Sequence, residues 1–161
     1  MPQPLKMLKL KPTHFQFIQE VKIDAPPKRV WQTILDVGGW FRFEETDTKS
    51  KRTLEPWVGG RFYGEDPADG STSLYTTITY LQPEKLLRMS GPMGMSHVPT
   101  NNVFIFELQP ENDGKATLLR FCQRTFGYLT ENVSKDYQGG WKQLFAQLKG
   151  LAEKKTRSAK R

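Results

Sequence analysis

Histidine and cysteine, the side chains readiest for acid–base or nucleophilic chemistry near neutral pH, are few in this 161-residue sequence. There are two histidines, His14 and His97, and one cysteine, Cys122. Imidazole titrates near neutral pH, so a histidine at a pocket mouth can act as a general acid or base. His97 stands in the stretch Gly91 to Thr100 (GPMGMSHVPT) and is the one catalytic candidate, against the plainer reading of a solvated loop histidine. Tyr75 and Tyr137 are the other acid–base candidates. No metal is expected, because a zinc-type site needs clustered Cys and His ligands and no HExxH occurs. Glu44, Glu45 and Asp47 offer oxygens, but a hard cation wants about six of them or more, and the group reads as a solvated acidic loop. GxSxG is absent, and Gly91-Pro92-Met93-Gly94 lacks the Lys-Ser/Thr that follows a phosphate loop. No cofactor is expected, and a lone cysteine makes no internal disulfide.

The remaining candidates are defined by where strands and helices point them. In Phe15 to Asp24, residues Phe15, Phe17, Val21 and Ile23 share one parity, the mark of a half-buried strand. Ala25-Pro26-Pro27 ends it, and Val30, Trp31, Ile34 and Leu35 make one helical face that Gly38-Gly39 is expected to close. A short helix or loop carrying Trp40, Phe41 and Phe43 follows, with its aromatics turned inward. From about Lys51 to Thr125 the text alternates strands and turns, including Asp66–Gly70, Gln82-Pro83-Glu84 and Glu111-Asn112-Asp113-Gly114. Six consecutive strands with short turns imply an antiparallel meander. Tyr137, Trp141, Leu144, Leu148 and Leu151 form the apolar stripe of a last, long helix. Gly139 and Gly140 beside Trp141 imply close approach to the sheet or a kink.

Charged residues fix the strand faces, because an unpaired charge avoids a core. Outward Arg61, Arg88, Glu107, Arg120 and Arg124 turn Phe62, Leu87, Met89, Phe104, Phe106, Phe121 and Gln123 inward. Tyr75, Thr77, Thr79 and Leu81 are assigned inward together, unless a bulge flips them. A strongly twisted sheet cannot be filled at both ends by one helix, and the gap is where a pocket forms. Its expected lining is Trp40, Phe43, Phe62, Tyr75, Thr77, Met89, Phe104, Phe106, Phe121, Gln123, Tyr137, Trp141 and Phe145. Asn102 joins at a strand start, and Met93, Met95 and His97 join from the Gly91–Thr100 loop, read as a lid or as an ordinary hairpin loop.

Apolar residues make up 37% of the chain and aromatics 12%, a composition that folds. The net charge is +7, but residues 1–11 hold three lysines and no acid, and residues 149–161 hold six basic residues and one acid. The basic excess therefore sits at the ends, which argues against nucleic acid as a partner. No run reaches the roughly 18 apolar residues of a membrane helix, and Met1 to Pro12 lacks the apolar core of a secretory signal. With one free thiol, a cytoplasmic location is expected. The organisation expected is a basic arm at 1–14, a domain at 15–153 and a basic tail at 154–161.

Four motifs, in order, carry a resemblance: Ala25-Pro26-Pro27 with Val30-Trp31; Val58-Gly59-Gly60-Arg61-Phe62; Leu81-Gln82-Pro83 with Leu86-Leu87; and Gly140-Trp141 with Leu144 and Leu148. Over about residues 15–153 the chain resembles the SRPBCC superfamily, the START and birch-pollen-allergen-like helix-grip proteins. Within it, the chain is similar to the branch of the C-terminal domain of the heat-shock-protein-90 ATPase activator, which overlaps with polyketide cyclase/dehydrase-like proteins. The resemblance implies an α+β helix-grip fold: a curved seven-stranded antiparallel sheet around a long C-terminal helix, with two short helices after the first strand. The motifs are structural, so function is argued from the pocket. The leading expectation is a non-catalytic protein that binds a small hydrophobic molecule of lipid, polyketide or aromatic type. The alternatives are a cofactor-free cyclase, dehydratase or hydrolase, and a chaperone-associated stress-response module; a chaperone or a second copy is then the partner.

Overall fold

The computed structural model describes residues 5–43 and 49–159, with side chains as far as Lys154. Its first strand, β1 (Lys11–Ile23), ends where Pro26 and Pro27 forbid further ladder pairing. Pro27 opens helix α1 (Pro27–Leu35) at a position where its missing N–H costs nothing, and Val30, Trp31 and Ile34 bury its inner face. Asp36 breaks the helix, and α2 (Val37–Trp40) follows at once. The expected stop at Gly38-Gly39 is thus corrected: the glycines lie inside α2. A side chain at Gly39 would put its Cβ 2.8 Å from Leu151 of the last helix, so the position serves close packing.

Six strands follow: β2 (Lys51–Leu54), β3 (Arg61–Asp66), β4 (Ser71–Gln82), β5 (Leu86–Gly91), β6 (Thr100–Glu111) and β7 (Ala116–Leu129). All pairs are antiparallel, in the order β1-β7-β6-β5-β4-β3-β2. Helix α3 (Val133–Ala159) closes the chain and packs on the inner face. This is the helix-grip architecture expected from the sequence.

Two boundaries differ from expectation. The strand β1 begins at Lys11 because it pairs with β7 as far as Leu129, and Leu8 and Leu10 pack on the cluster of Val98, Leu129 and Val133. At the other end, α3 continues through Ala159.

Strand parity holds where pairing is regular. Phe104, Phe106, Leu119, Phe121, Leu87 and Phe62 are all buried on the inner face. It fails in β4, where the register slips against β3 near Phe62/Tyr63 and against β5 between Ile78 and Tyr80. Two bulges turn Tyr75, Thr76, Ile78 and Leu81 toward the core, while Thr77 is only half-buried and Thr79 exposed. Thr77 is therefore corrected: Thr76 takes the inner position, its hydroxyl 3.3 Å from the sulfur of Met89.

Aromatic rings fill the middle of the grip. Trp141 and Phe145 of α3 lie 4.5 and 4.9 Å from the ring of Phe121. Phe104 and Phe106 flank them, with centroids 5.5 and 6.1 Å from Trp141. Burying each such side chain contributes about 1.5–3 kcal/mol, so this cluster fixes α3 against β6 and β7. Helix α3 runs without interruption through Gly139 and Gly140; a Cβ added at Gly140 would stand 3.4 Å from the ring of Phe43 rather than against the sheet.

Candidate functional site

The centre of the grip is packed, so open space is left toward the start of α3. A cleft of about 620 Å³ lies there, and it takes walls from separate parts of the chain. Phe41 and Phe43 follow α2, Arg52 comes from β2 and Tyr75 from β4. Met93, Gly94, Met95 and His97 come from the loop after β5. Thr130 precedes α3, which adds Val133, Asp136, Tyr137, Gly140, Trp141 and Leu144. Phe41 is the hub of the aromatic wall, with centroids 6.1 Å from Phe43, 5.6 Å from Tyr75 and 6.0 Å from Trp141. Phe43 is half-exposed at the rim, and its carbonyl accepts a 2.8 Å hydrogen bond from Gln143 of α3.

Beneath the cleft lies a closed polar network. Trp141 Nε1 donates to Gln123 Oε1 at 2.9 Å. Gln123 Nε2 donates to Asn102 Oδ1 at 3.2 Å and to Thr125 Oγ1 at 3.0 Å. Thr125 Oγ1 donates to Asn102 Oδ1 at 2.6 Å, and Asn102 Nδ2 donates to the carbonyls of Gly91 and Pro92 at 3.0 and 3.3 Å. Asn102 and Gln123 are fully buried, and a buried polar group needs such partners. Their donors are engaged within the protein, so they stand under the site and fix α3 and the loop relative to the sheet.

Tyr137 ties the loop down a second time, its hydroxyl donating to the Met93 carbonyl at 2.9 Å. Burial pushes this phenol up to about 12, partly opposed by a hydrogen bond with Asn102. Tyr137 is therefore protonated at neutral pH and acts as a donor, not as a base. His97 is exposed on the loop at the cleft wall. Among the described residues no group of three or more His, Cys, Asp or Glu converges as metal ligands. Glu44, Glu45 and Asp47 lie outside the described residues.

The sequence model of the family described as Activator of Hsp90 ATPase homolog 1-like protein matches residues 24–153. The chain belongs to this family. No curated protein matches it. Among solved structures, a putative uncharacterized protein from Rhizobium leguminosarum superposes with a TM-score of 0.71 at 17% identity, covering 90% of this chain and 98% of that one. The Mll3558 protein from Rhizobium loti gives 0.68 at 18% identity, over 87% and 98%. Ara h 8.0201 gives 0.61 at 16% identity, again over 87% and 98%. At these identities the likeness is one of fold.

In this member of the activator-like family the expected lining, apart from Thr77 and the network residues Asn102 and Gln123, divides in two. Phe43, Tyr75, Met93, Met95, His97, Tyr137 and Trp141 line the cleft. Trp40, Phe62, Met89, Phe104, Phe106, Phe121 and Phe145 are core, packed on one another or on α3, and Trp40 also donates from Nε1 to the Ile34 carbonyl at 3.2 Å. Sequence reasoning missed Phe41, Thr130, Asp136 and Arg52. Arg52 breaks the rule that arginines mark the outer face: it stands on a short strand at the sheet edge, opposite Gly64. Two further grooves, of about 290 and 570 Å³, lie on the outer face around His14, Asn101 and Phe126. Phe126 is 64% exposed, so these grooves run between side chains that already point to solvent.

Proposed function

We propose that this protein binds a small hydrophobic molecule in the cleft between α3, the loop after β5 and the β2–β4 end of the sheet. The reading rests on one observation: a cleft of about 620 Å³, with five aromatic side chains, two methionines, Val133 and Leu144 in its walls, beside a core that is otherwise packed. Small-molecule sites fall in the range of about 300–1,000 Å³ and are lined in this way, with a few polar groups to orient the ligand. Methionines in the loop suit adaptable contact with an apolar surface. The ligand class is lipid, polyketide or aromatic, as the resemblance to the helix-grip superfamily implies, and the setting is the cytoplasm.

The binding reading needs only the apolar cleft, whereas a cofactor-free cyclase, dehydratase or hydrolase needs a positioned acid or base, for which His97 at the cleft wall is the candidate. The family description names a chaperone activator, and a chaperone contact is compatible with ligand binding. Among the described residues no helix is long and apolar enough to cross a membrane. Native mass spectrometry of the purified protein, followed by denaturation and identification of what is released, tests the proposal. A stoichiometric apolar molecule is expected. An empty protein that shows no thermal shift across a library of lipids, polyketides and aromatic acids overturns it.

A further inference from the structure

We propose that a second copy of this chain pairs with the free edge of the sheet, β1 against β1, antiparallel about a two-fold axis at Phe17; this is independent of the binding function proposed above. Strands β1 and β2 are the two edges of the sheet, and β1 is the long one, with 13 residues against 4. In an antiparallel ladder, successive residues of a strand turn their N–H and C=O groups alternately to one side and the other. Three observations show which residues of β1 face away from β7. Tyr128, the partner of Pro12, donates its N–H to the Pro99 carbonyl at 2.9 Å, toward β6, so Pro12 and Tyr128 are not bonded to each other. Pro12 itself has no N–H, as suits a residue turned to a free edge. The Lys22 carbonyl accepts from Lys149 Nζ of α3 at 2.7 Å. The even-numbered residues therefore carry the edge groups. Between Pro12 and Lys22 these are His14, Gln16, Ile18 and Glu20, all exposed, and among the described residues no hydrogen bond reaches their edge N–H and C=O groups. An open edge of this kind is a template for another strand.

The sequence of open and closed groups is complementary to itself. About an axis at Phe17, His14 opposes the second copy's Glu20 and Gln16 opposes its Ile18. Each open residue thus meets an open residue, and each such pair exchanges two backbone bonds. Pro12 opposes the second copy's Lys22, whose carbonyl already has its donor from Lys149, so the missing N–H leaves nothing unmet. Moving the axis to Ile18 sets the His14 N–H against that occupied carbonyl, and moving it to Gln16 sets the Glu20 carbonyl against Pro12. The axis at Phe17 avoids both. Side chains agree with this register. On the outer face the His14 imidazole, a donor in either protonation state, stands beside a Glu20 carboxylate, an acceptor. Glu20 lies 3.9 Å from Arg120 of its own chain and its side chain is 52% exposed, so its carboxylate is open to a second donor. On the inner face Phe17 meets its own copy in a non-hydrogen-bonded pair, where Cα atoms approach to about 4.5 Å. Phe17 is half-buried and stacked on Phe15 with centroids 6.2 Å apart, so its open side gains cover, and cross-strand aromatic pairs stabilise a ladder.

Sedimentation equilibrium of the full chain tests the proposal on wild type, His14→Glu and the double variant His14→Glu with Glu20→Lys, with circular dichroism to check the fold. Wild type is expected to show a concentration-dependent dimer. His14→Glu places carboxylate against carboxylate on both sides of the axis and is expected to weaken the dimer about tenfold or more. Adding Glu20→Lys restores opposite charges at the same positions and is expected to recover most of that loss. Amide hydrogen exchange by NMR needs no variant. On going from dilute to concentrated wild type, the amides of His14, Gln16, Ile18 and Glu20 are expected to slow while their odd-numbered neighbours, already bonded to β7, change little. A wild type that stays monomeric at near-millimolar concentration overturns the proposal, and so does a dimer whose added protection lies on β2 or on another surface. A dimer indifferent to His14→Glu, or one that the double variant fails to recover, overturns the register.

Discussion

Replacing Gln123 with leucine tests whether the buried polar network holds the floor of the cleft. The side chain is fully buried and makes three hydrogen bonds, one from Trp141 and two to Asn102 and Thr125. Asn102 and Thr125 stay bonded to each other in the variant, at 2.6 Å in the native arrangement. The Trp141 indole N–H, with Trp141 only 2% exposed, loses its acceptor. Leaving such a donor unmet costs about 1–3 kcal/mol, and each lost bond removes about 1 kcal/mol net. Leucine recovers some apolar burial, so the expected loss is about 2–4 kcal/mol, or about 6–12 °C in Tm near the middle of that range for a domain of this size. Trp141→Phe removes the donor instead and leaves Gln123 Oε1 unmet. In the double variant neither orphan exists, so the two costs are expected to fall short of additivity by about 1–2 kcal/mol. Urea denaturation followed by circular dichroism, which does not depend on Trp141 as a reporter, measures all four proteins. Additive losses refute the network as a coupled unit.

Tyr137, raised to about 12, stays protonated in the folded state while it ionises near pH 10 once unfolded, so the folded state is disfavoured as pH climbs through that window. Wild type should lose about 1–3 kcal/mol relative to Tyr137→Phe between pH 10 and pH 12 in alkaline denaturation curves; parallel curves contradict the burial of the phenol. Glu55 is held down to about 2 by hydrogen bonds from the Arg61 side chain and backbone, and in Arg61→Gln its carboxyl should titrate closer to the ordinary carboxylate range by carbon NMR. Gly139 faces open space within α3, so Gly139→Ala should stabilise the protein by about 0.5–1 kcal/mol and leave binding of the apolar dye phenylnaphthylamine unchanged. At Gly140 an added Cβ would instead meet Phe43 at 3.4 Å, and Gly140→Leu should narrow the cleft and weaken phenylnaphthylamine binding at least tenfold without unfolding the helix, as read by calorimetry and circular dichroism.

The fold was legible because its signals are local. Alternation along β6 and β7 places Phe104, Phe106 and Phe121 inward with no knowledge of the partner strand, and Asn112, Asp113 and Gly114 all adopt the positive φ that their turn implied. What was not legible depends on contacts between distant segments. The bulges in β4 are set by pairing with β3 and β5, and they exchange Thr77 for Thr76. Gly38 and Gly39 look like a helix stop, yet at Gly39 a Cβ would crowd Leu151, more than a hundred residues away, as well as Asp36. The cleft posed the same difficulty. Sequence shows which aromatics point inward, but only the placement of Trp141 and Phe145 shows which of them are covered. Arg52 was missed because a charged residue on a strand is assigned to solvent by default.

The central claim is that the inner cleft, and not the outer face, takes an apolar ligand. The most direct test labels the methyl groups of the five methionines with carbon-13 and follows them by NMR as phenylnaphthylamine is added. Met93 and Met95 line the cleft, Met89 is buried beside Thr76 in the core, and Met7 is 97% exposed. Saturable shifts at Met93 and Met95, with Met89 and Met7 little changed, are the predicted result. Saturable binding by calorimetry with Met93 and Met95 unmoved would place the ligand elsewhere and contradict the account.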